Sequence, residues 1–159
     1  MITEITDPQN SSTAGRYVEI YNPGTSDVDL STGYALVRWT NASTTPQSAV
    51  PLNGIIPAGG FFVVCNSASK FLTTYGVAAS QDIGGGGPAD SNGDDNIALL
   101  DPNGNTMDMF GVPGVDGTGT PHEFEDGRAE RVCGTSASST WIASAVSYTH
   151  LTLPTNCVV

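Results

Sequence analysis

The sequence predicts an all-β sandwich with at most one short helix, and three observations point there. Short runs rich in β-branched and aromatic residues recur from end to end, each bounded by Gly, Pro, Asn or Asp, while helical periodicity is scarce. The 159 residues include 19 glycines and 10 prolines, a turn-rich chain that stays below the roughly 25–30% marking low complexity. Charged residues are only 13%, which predicts an interior free of charge. One domain is expected, because 159 residues is close to the usual domain size.

The elements follow in order along the chain. Ile2 to Thr6 reads as a strand, and Arg16 to Tyr21 is the clearest one. It ends at Asn22-Pro23-Gly24, where Pro presets one turn angle and Gly supplies the positive one. Val28 to Leu30 and Tyr34 to Thr40 come next. Pro57-Ala58-Gly59-Gly60 turns the chain into Phe61 to Cys65, whose unbroken apolar run reads as a strand covered on both faces at the sandwich centre. The one helix is expected over Ser67 to Tyr75, with Ser67 as N-cap, Phe71 and Tyr75 four apart on one face, and Gly76 as the stop. Ile97 to Leu100, Thr106 to Phe110 and Ala129 to Val132 complete about eight strands. Gly84 to Gly87 and Gly111 to Pro121 hold too many small residues to pack and are expected as surface loops.

With 16 acidic and 5 basic residues the formal net charge is −11, so nucleic acid and anionic membranes are poor partners: each basic contact would work against a repulsive field. No apolar run approaches the roughly 20 residues of a membrane helix, and no membrane insertion is expected. Met1 leads straight into Ile2-Thr3-Glu4-Ile5 without a basic and apolar leader. The chain is therefore expected either to be cytoplasmic or to lack its true N-terminus.

Several segments taken together are similar to a lamin tail domain. They are Ile2-Thr3-Glu4-Ile5; Tyr17 to Gly24 with Val28-Asp29-Leu30-Ser31 and Gly33-Tyr34-Ala35-Leu36; Ile56 to Val64; Gly93 to Leu100; and Asp126 to Arg131. The resemblance spans Ile2 to Trp141 and implies an immunoglobulin-like β-sandwich. No heptad rod or basic localisation signal is present, so a nuclear role does not carry over and the bacterial or algal extracellular type fits better. The resemblance implies a recognition or attachment module without a shared catalytic site, often fused to other domains including hydrolases.

Val146 to Thr155 resembles a peptide that recurs when sequencing-adapter DNA is translated in frame. Residues 1–144 are accordingly read as the domain and 145–159 as an adventitious tail, the alternative being a genuine final strand. Excluding Cys157 in that tail leaves Cys65 and Cys133, expected to form a disulfide closing a loop of about 69 residues; the alternative is two buried free thiols. Asn10-Ser11-Ser12 and Asn41-Ala42-Ser43 are glycosylation sequons in expected loops. The cysteine pair, the sequons and the acidic balance together suggest an extracellular or cell-surface location for a fragment of a longer protein.

The candidate metal residues are Asp90, Asn92, Asp94 and Asp101, whose oxygens match positions 1, 3, 5 and 12 of an EF-type calcium loop. Asp95 stands where that loop needs Gly, and a strand follows where a helix should begin. The favoured alternative is a turn that starts a strand. No other cofactor is expected. His122 is the sole histidine outside the tail and lacks a Gly-x-Ser-x-Gly elbow; in His122-Glu123-Phe124-Glu125-Asp126 the aspartate occupies the place of the second zinc ligand. Arg128 and Arg131 are expected in salt bridges with nearby acids, Trp39 and Trp141 at the core edge, and Glu19 either facing solvent or as a partly buried acceptor. The chain is expected to be a non-enzymatic binding or scaffold module with a protein or glycan partner. The rivals are a calcium-stabilised adhesion module, an accessory domain of an extracellular hydrolase, and an enzyme acting through paired acids.

Overall fold

A computed structural model describes residues 1–8 and 15–150, with the side chains of 149 and 150 left aside. In chain order the strands are β1 (Ile2–Asp7), β2 (Tyr17–Tyr21), β3 (Val28–Asp29), β4 (Ala35–Trp39), β5 (Val50–Pro51), β6 (Ile55–Ile56) and β7 (Phe61–Cys65). After the helix α1 (Ala68–Tyr75) come β8 (Gln81–Asp82), β9 (Asn96–Leu100), β10 (Thr106–Phe110), β11 (Gly127–Arg131) and β12 (Val146–His150). One sheet has the order β12-β11-β1-β2-β7-β8, a second β10-β9-β4-β5, and β3 pairs with β6 alone. Pairing is antiparallel except between β7 and β8.

The two larger sheets enclose one core. Ile5, Val18, Ile20, Phe62, Val64 and Ala129 of the first meet Leu36, Ile97, Leu99 and Phe110 of the second, and Phe124 closes the end. Alternation along the strands produces this, since successive side chains point to opposite faces. The strands covered on both faces are β9 and β4 rather than β7. Ile97 and Leu99 face the core, while Ala98 packs with Val37 and Met109 in a smaller cluster on the far side of the four-stranded sheet. On β7, Phe61 is 48% exposed, and its outer neighbour is only the two-residue β8.

Helix α1 is the expected one, with Gly76 in the left-handed region (φ 74°) at its end. Its N-terminus is held differently from expectation: the Ser67 side chain makes no cap bond, and the Ala68 amide donates instead to Asp82 Oδ2 at 2.7 Å. Phe71 and Tyr75 both lie edge-on to Tyr17, with ring centroids 5.4 Å away, which docks the helix on the outer face of β2.

The expected Cys65–Cys133 bridge is not formed: Cys65 is a buried free thiol. Cys65 is in register with Tyr17, Tyr17 with Thr6 and Thr6 with Arg128. Cys133 therefore lies three strands across, about 14 Å at 4.8 Å per strand, and past the end of β11. A disulfide needs Cα atoms within about 7 Å. Burial pushes the Cys65 thiol up. A thiol reagent should accordingly label it on denaturation and not in the native state, as peptide-mapped mass spectrometry would show.

Residues 145–159 were expected to lie outside the domain, yet Val146–His150 pairs with β11 along its length, from Arg131 opposite Val146 to Gly127 opposite His150. Val146 adds its side chain to the core. The remainder of that tail, the Asn10 sequon and Cys157 lie outside the described residues.

Candidate functional site

Chemically capable side chains gather at one end of the sandwich, where β1, β4 and the loops leading into β9 and β11 meet. Asp7 ends β1 and Arg16 precedes β2, an antiparallel arrangement that brings Arg16 Nε to 2.7 Å from Asp7 Oδ1 and Nη1 to 3.3 Å from Asp90 Oδ1. Arg38 reaches in from β4. Its Nη1 lies 3.1 Å from Asp95 Oδ2 and donates to the Asp90 carbonyl at 3.0 Å, and its Nη2 donates to the Gly86 carbonyl at 2.8 Å. Asp90 also accepts from Asn66 Nδ2 and the Gly86 amide, at 2.8 and 2.7 Å. Burial opposes ionisation of Asp90, yet the bonds from Gly86, Asn66 and Arg16 hold its carboxyl below the usual range. The interior is thus not free of charge. All four arginines are ion-paired with side chains only 6–9% exposed, so the low charge content went inward.

A second group locks the loop before β11. Asn96, fully buried, donates through Nδ2 to the Asn41 and Val115 carbonyls at 3.2 and 3.1 Å and accepts from the Val112 amide at 2.7 Å. His122 is 2% exposed, with Nδ1 2.9 Å from Thr120 Oγ1 and its ring edge-on to Phe110 and Trp141. The Gly111 to Pro121 segment, expected as a loop too small to pack, is therefore held at several points. Gly117 donates to the Asp94 carbonyl, and Phe124 to that of Gly93.

Burial holds the His122 imidazole below its ordinary range. A lowered folded pKa means that below about pH 6.5 the unfolded chain takes up a proton that the folded one refuses, so this group removes stability as pH falls through that window. Burial pushes Glu4, Glu19 and Asp94 up, which acts in the opposite direction. Comparing His122→Gln with wild type separates the two: the melting temperature of the variant should fall less between pH 7.5 and 5. Parallel curves would show that His122 is protonated as readily folded as unfolded.

The four calcium candidates do not converge. Asp90 belongs to the arginine network. Asp94 Oδ2 accepts from Asn41 Nδ2 at 2.8 Å and Asn92 Nδ2 at 3.2 Å, and Asp101 sits in an exposed turn, accepting from the Asn103 and Asn105 amides at 2.8 Å each. Strand β9 runs between Asp94 and Asp101, separating them by about 17 Å at its extended rise. Among the described residues no group of three or more His, Cys, Asp or Glu side chains is placed to hold a metal ion. Asp94 and Asp95 lead directly into β9 at Asn96, and melting temperatures in millimolar calcium and in chelator should coincide. Asn41, the second sequon, has its amide engaged by Asp94.

Other readings find their places. Arg128 pairs with Glu4 and Glu130, at 3.3 and 3.2 Å, and Arg131 with Asp108 at 2.6 Å. Trp141 packs against Phe110, and Trp39 against the smaller apolar cluster. Glu19 is the partly buried acceptor, taking the Thr3 hydroxyl at 2.7 Å. Sequence reasoning missed Arg16, Arg38, Asp7 and Asp108 as a buried framework. The available signal was arginine placed within or beside apolar strands of a chain with so few bases. A cavity lined by Ile5, Phe110, Arg131 and Trp141 has a volume of about 10 Å³, room for one water molecule. No described helix is long and apolar enough to cross a membrane.

Two sheets closed over one core, with the ionisable groups of the loop end tied to one another, define an immunoglobulin-like β-sandwich. The chain belongs to the Lamin Tail Domain family, whose model matches residues 1–114. No curated protein sequence matches it significantly. Membership is consistent with a non-enzymatic module. Strands β11 and β12 fall beyond the matched residues, although β11 pairs with β1 over four positions.

Proposed function

We propose that the chain is a binding or scaffold module without catalytic activity, working as part of a longer secreted or cell-surface protein. One observation carries the reading: the His122 ring, the Cys65 thiol and four aspartates are engaged inside the fold. His122 is buried against aromatic rings, Cys65 is buried at 0% exposure with its thiol pushed up, and Asp7, Asp90, Asp95 and Asp108 are bound to arginines. The acidic balance and the resemblance to extracellular relatives support a location outside the cytoplasm; a Cys65–Cys133 bridge no longer does.

Esterase, phosphatase, nuclease and glycosidase substrates offered to the purified protein should all remain unconverted. Turnover that disappears when a single acid is changed to its amide would overturn the reading. Fractionation of the native source should find the protein in the medium or at the cell surface, and recovery from the cytosol alone would remove the location.

A further inference from the structure

We propose that the open half of the outer face of the six-stranded sheet docks an extended basic peptide segment, with arginine or lysine at alternate positions. This rests on the reading of the chain as a binding module and names its surface and partner class. Helix α1 covers the other half of that face through Phe71 and Tyr75 against Tyr17. Beyond the helix, β-strand alternation brings Glu4, Glu19 and Tyr21, Phe61 and Val63, and Glu130 to the same side. The register aligns Glu130 with Glu4 and Glu4 with Glu19 across three adjacent strands, and Glu19 with Val63 on the fourth. Next to that row lie Tyr21 and Phe61, in register and with ring centroids 4.8 Å apart, Phe61 being 48% exposed.

The row concentrates negative charge on one face. Like charges directly opposite one another destabilise a sheet, and one guanidinium, Arg128, serves two of the three carboxylates. Burial pushes both the Glu4 and Glu19 carboxyls up, opposed by the Tyr17 and Arg128 contacts at Glu4 and the Thr3 bond at Glu19, and Glu130 adds repulsion at each. The protein has no spare arginine to relieve the row, because the other three are paired with Asp7, Asp90, Asp95 and Asp108. A basic segment is the complement of this row. Its cations meet Glu19 and Glu130, and a guanidinium plane stacks on the exposed Phe61 ring beside Tyr21, a pairing that selects a cation carried on an apolar stem. The net charge of −11 draws such a segment in from solution. An anionic or neutral partner gains nothing from the carboxylate row, so charge complementarity decides the class.

The test uses the full chain and a fluorescein-labelled hexapeptide of alternating arginine and serine, with alternating glutamate and serine as control. Polarisation at low salt should show binding of the basic peptide only, weakening as salt is raised. Glu19→Gln and Phe61→Ala should each weaken it about three- to tenfold. Phe61 is exposed and Glu19 only partly buried, so both variants are expected to fold, and unchanged melting temperatures confirm that folding is not the cause. Asp101→Asn and Asp116→Asn, in the turn between β9 and β10 of the other sheet and in the loop after β10, should leave affinity within about twofold after the common loss of one charge. Amide resonances of Glu4, Glu19, Tyr21 and Phe61 should shift on titration. Absence of binding, equal losses in all four variants, or shifts confined to another face would overturn the proposal. In the last case the chain still binds and the module reading stands, while that reading itself fails only on turnover in the substrate panel.

Discussion

Asp108→Ala should be among the most damaging single substitutions in this protein, with an expected loss of about 3–5 kcal/mol in chemical denaturation. Asp108 is 1% exposed and accepts three bonds at once: Arg131 Nη2 at 2.6 Å, the Ile2 amide at 2.7 Å and the Ser138 amide at 3.1 Å. It therefore ties β10 of one sheet to β1 and β11 of the other and to the segment before β12. Truncation leaves a guanidinium and two amides without their acceptor in a buried place, and the unpaired donors cost more than the pair is worth. The double variant Asp108→Ala/Arg131→Met should accordingly be less destabilised than the sum of the two single changes. Strict additivity would show that the two side chains do not act as a pair.

Gly93→Ala should be of similar size, and a matched substitution separates its two causes. Gly93 has φ 103°, outside the range that side chains adopt readily, and a Cβ there would stand 2.3 Å from the Glu125 backbone. Gly84 also has positive φ, at 73°, but nothing lies within 4 Å of the position its Cβ would take. Gly84→Ala thus reports backbone strain alone, about 1 kcal/mol, whereas Gly93→Ala adds a clash with main chain that cannot turn aside, for about 3 kcal/mol or more in total. Equal losses at the two positions would mean that the β9 entry and the Glu125 turn are not packed as tightly as the structure places them.

The fold was legible because its signals are local. Alternation in Tyr17–Tyr21, the Pro-Gly turns, and the Phe71–Tyr75 spacing stopped by Gly76 each follow from backbone sterics and side-chain direction within a few residues, and they produced β2, the turn after it and α1 as read. An apolar run such as Phe61–Val64 was read correctly as a strand but placed wrongly. Whether a strand is covered on one face or two depends on what packs on each side of it, and the doubly covered places went to β9 and β4.

The charged framework shows the same division more sharply. Composition established by itself that the chain is acidic, turn-rich and poor in bases, and the ordered motifs established its family. Composition could not say where the few arginines go, because Arg16 and Asp90 are 74 residues apart, and Arg131 and Asp108 meet only when two different sheets stack. The cysteines make the same point: both lie on or just after strands of one sheet, and only the strand order puts β1 and β2 between them. Sequence determines what each segment can form, since propensity and alternation act over a few residues. Tertiary structure alone decides which buried charges find partners, because the desolvation that makes pairing obligatory exists only once the sheets have closed.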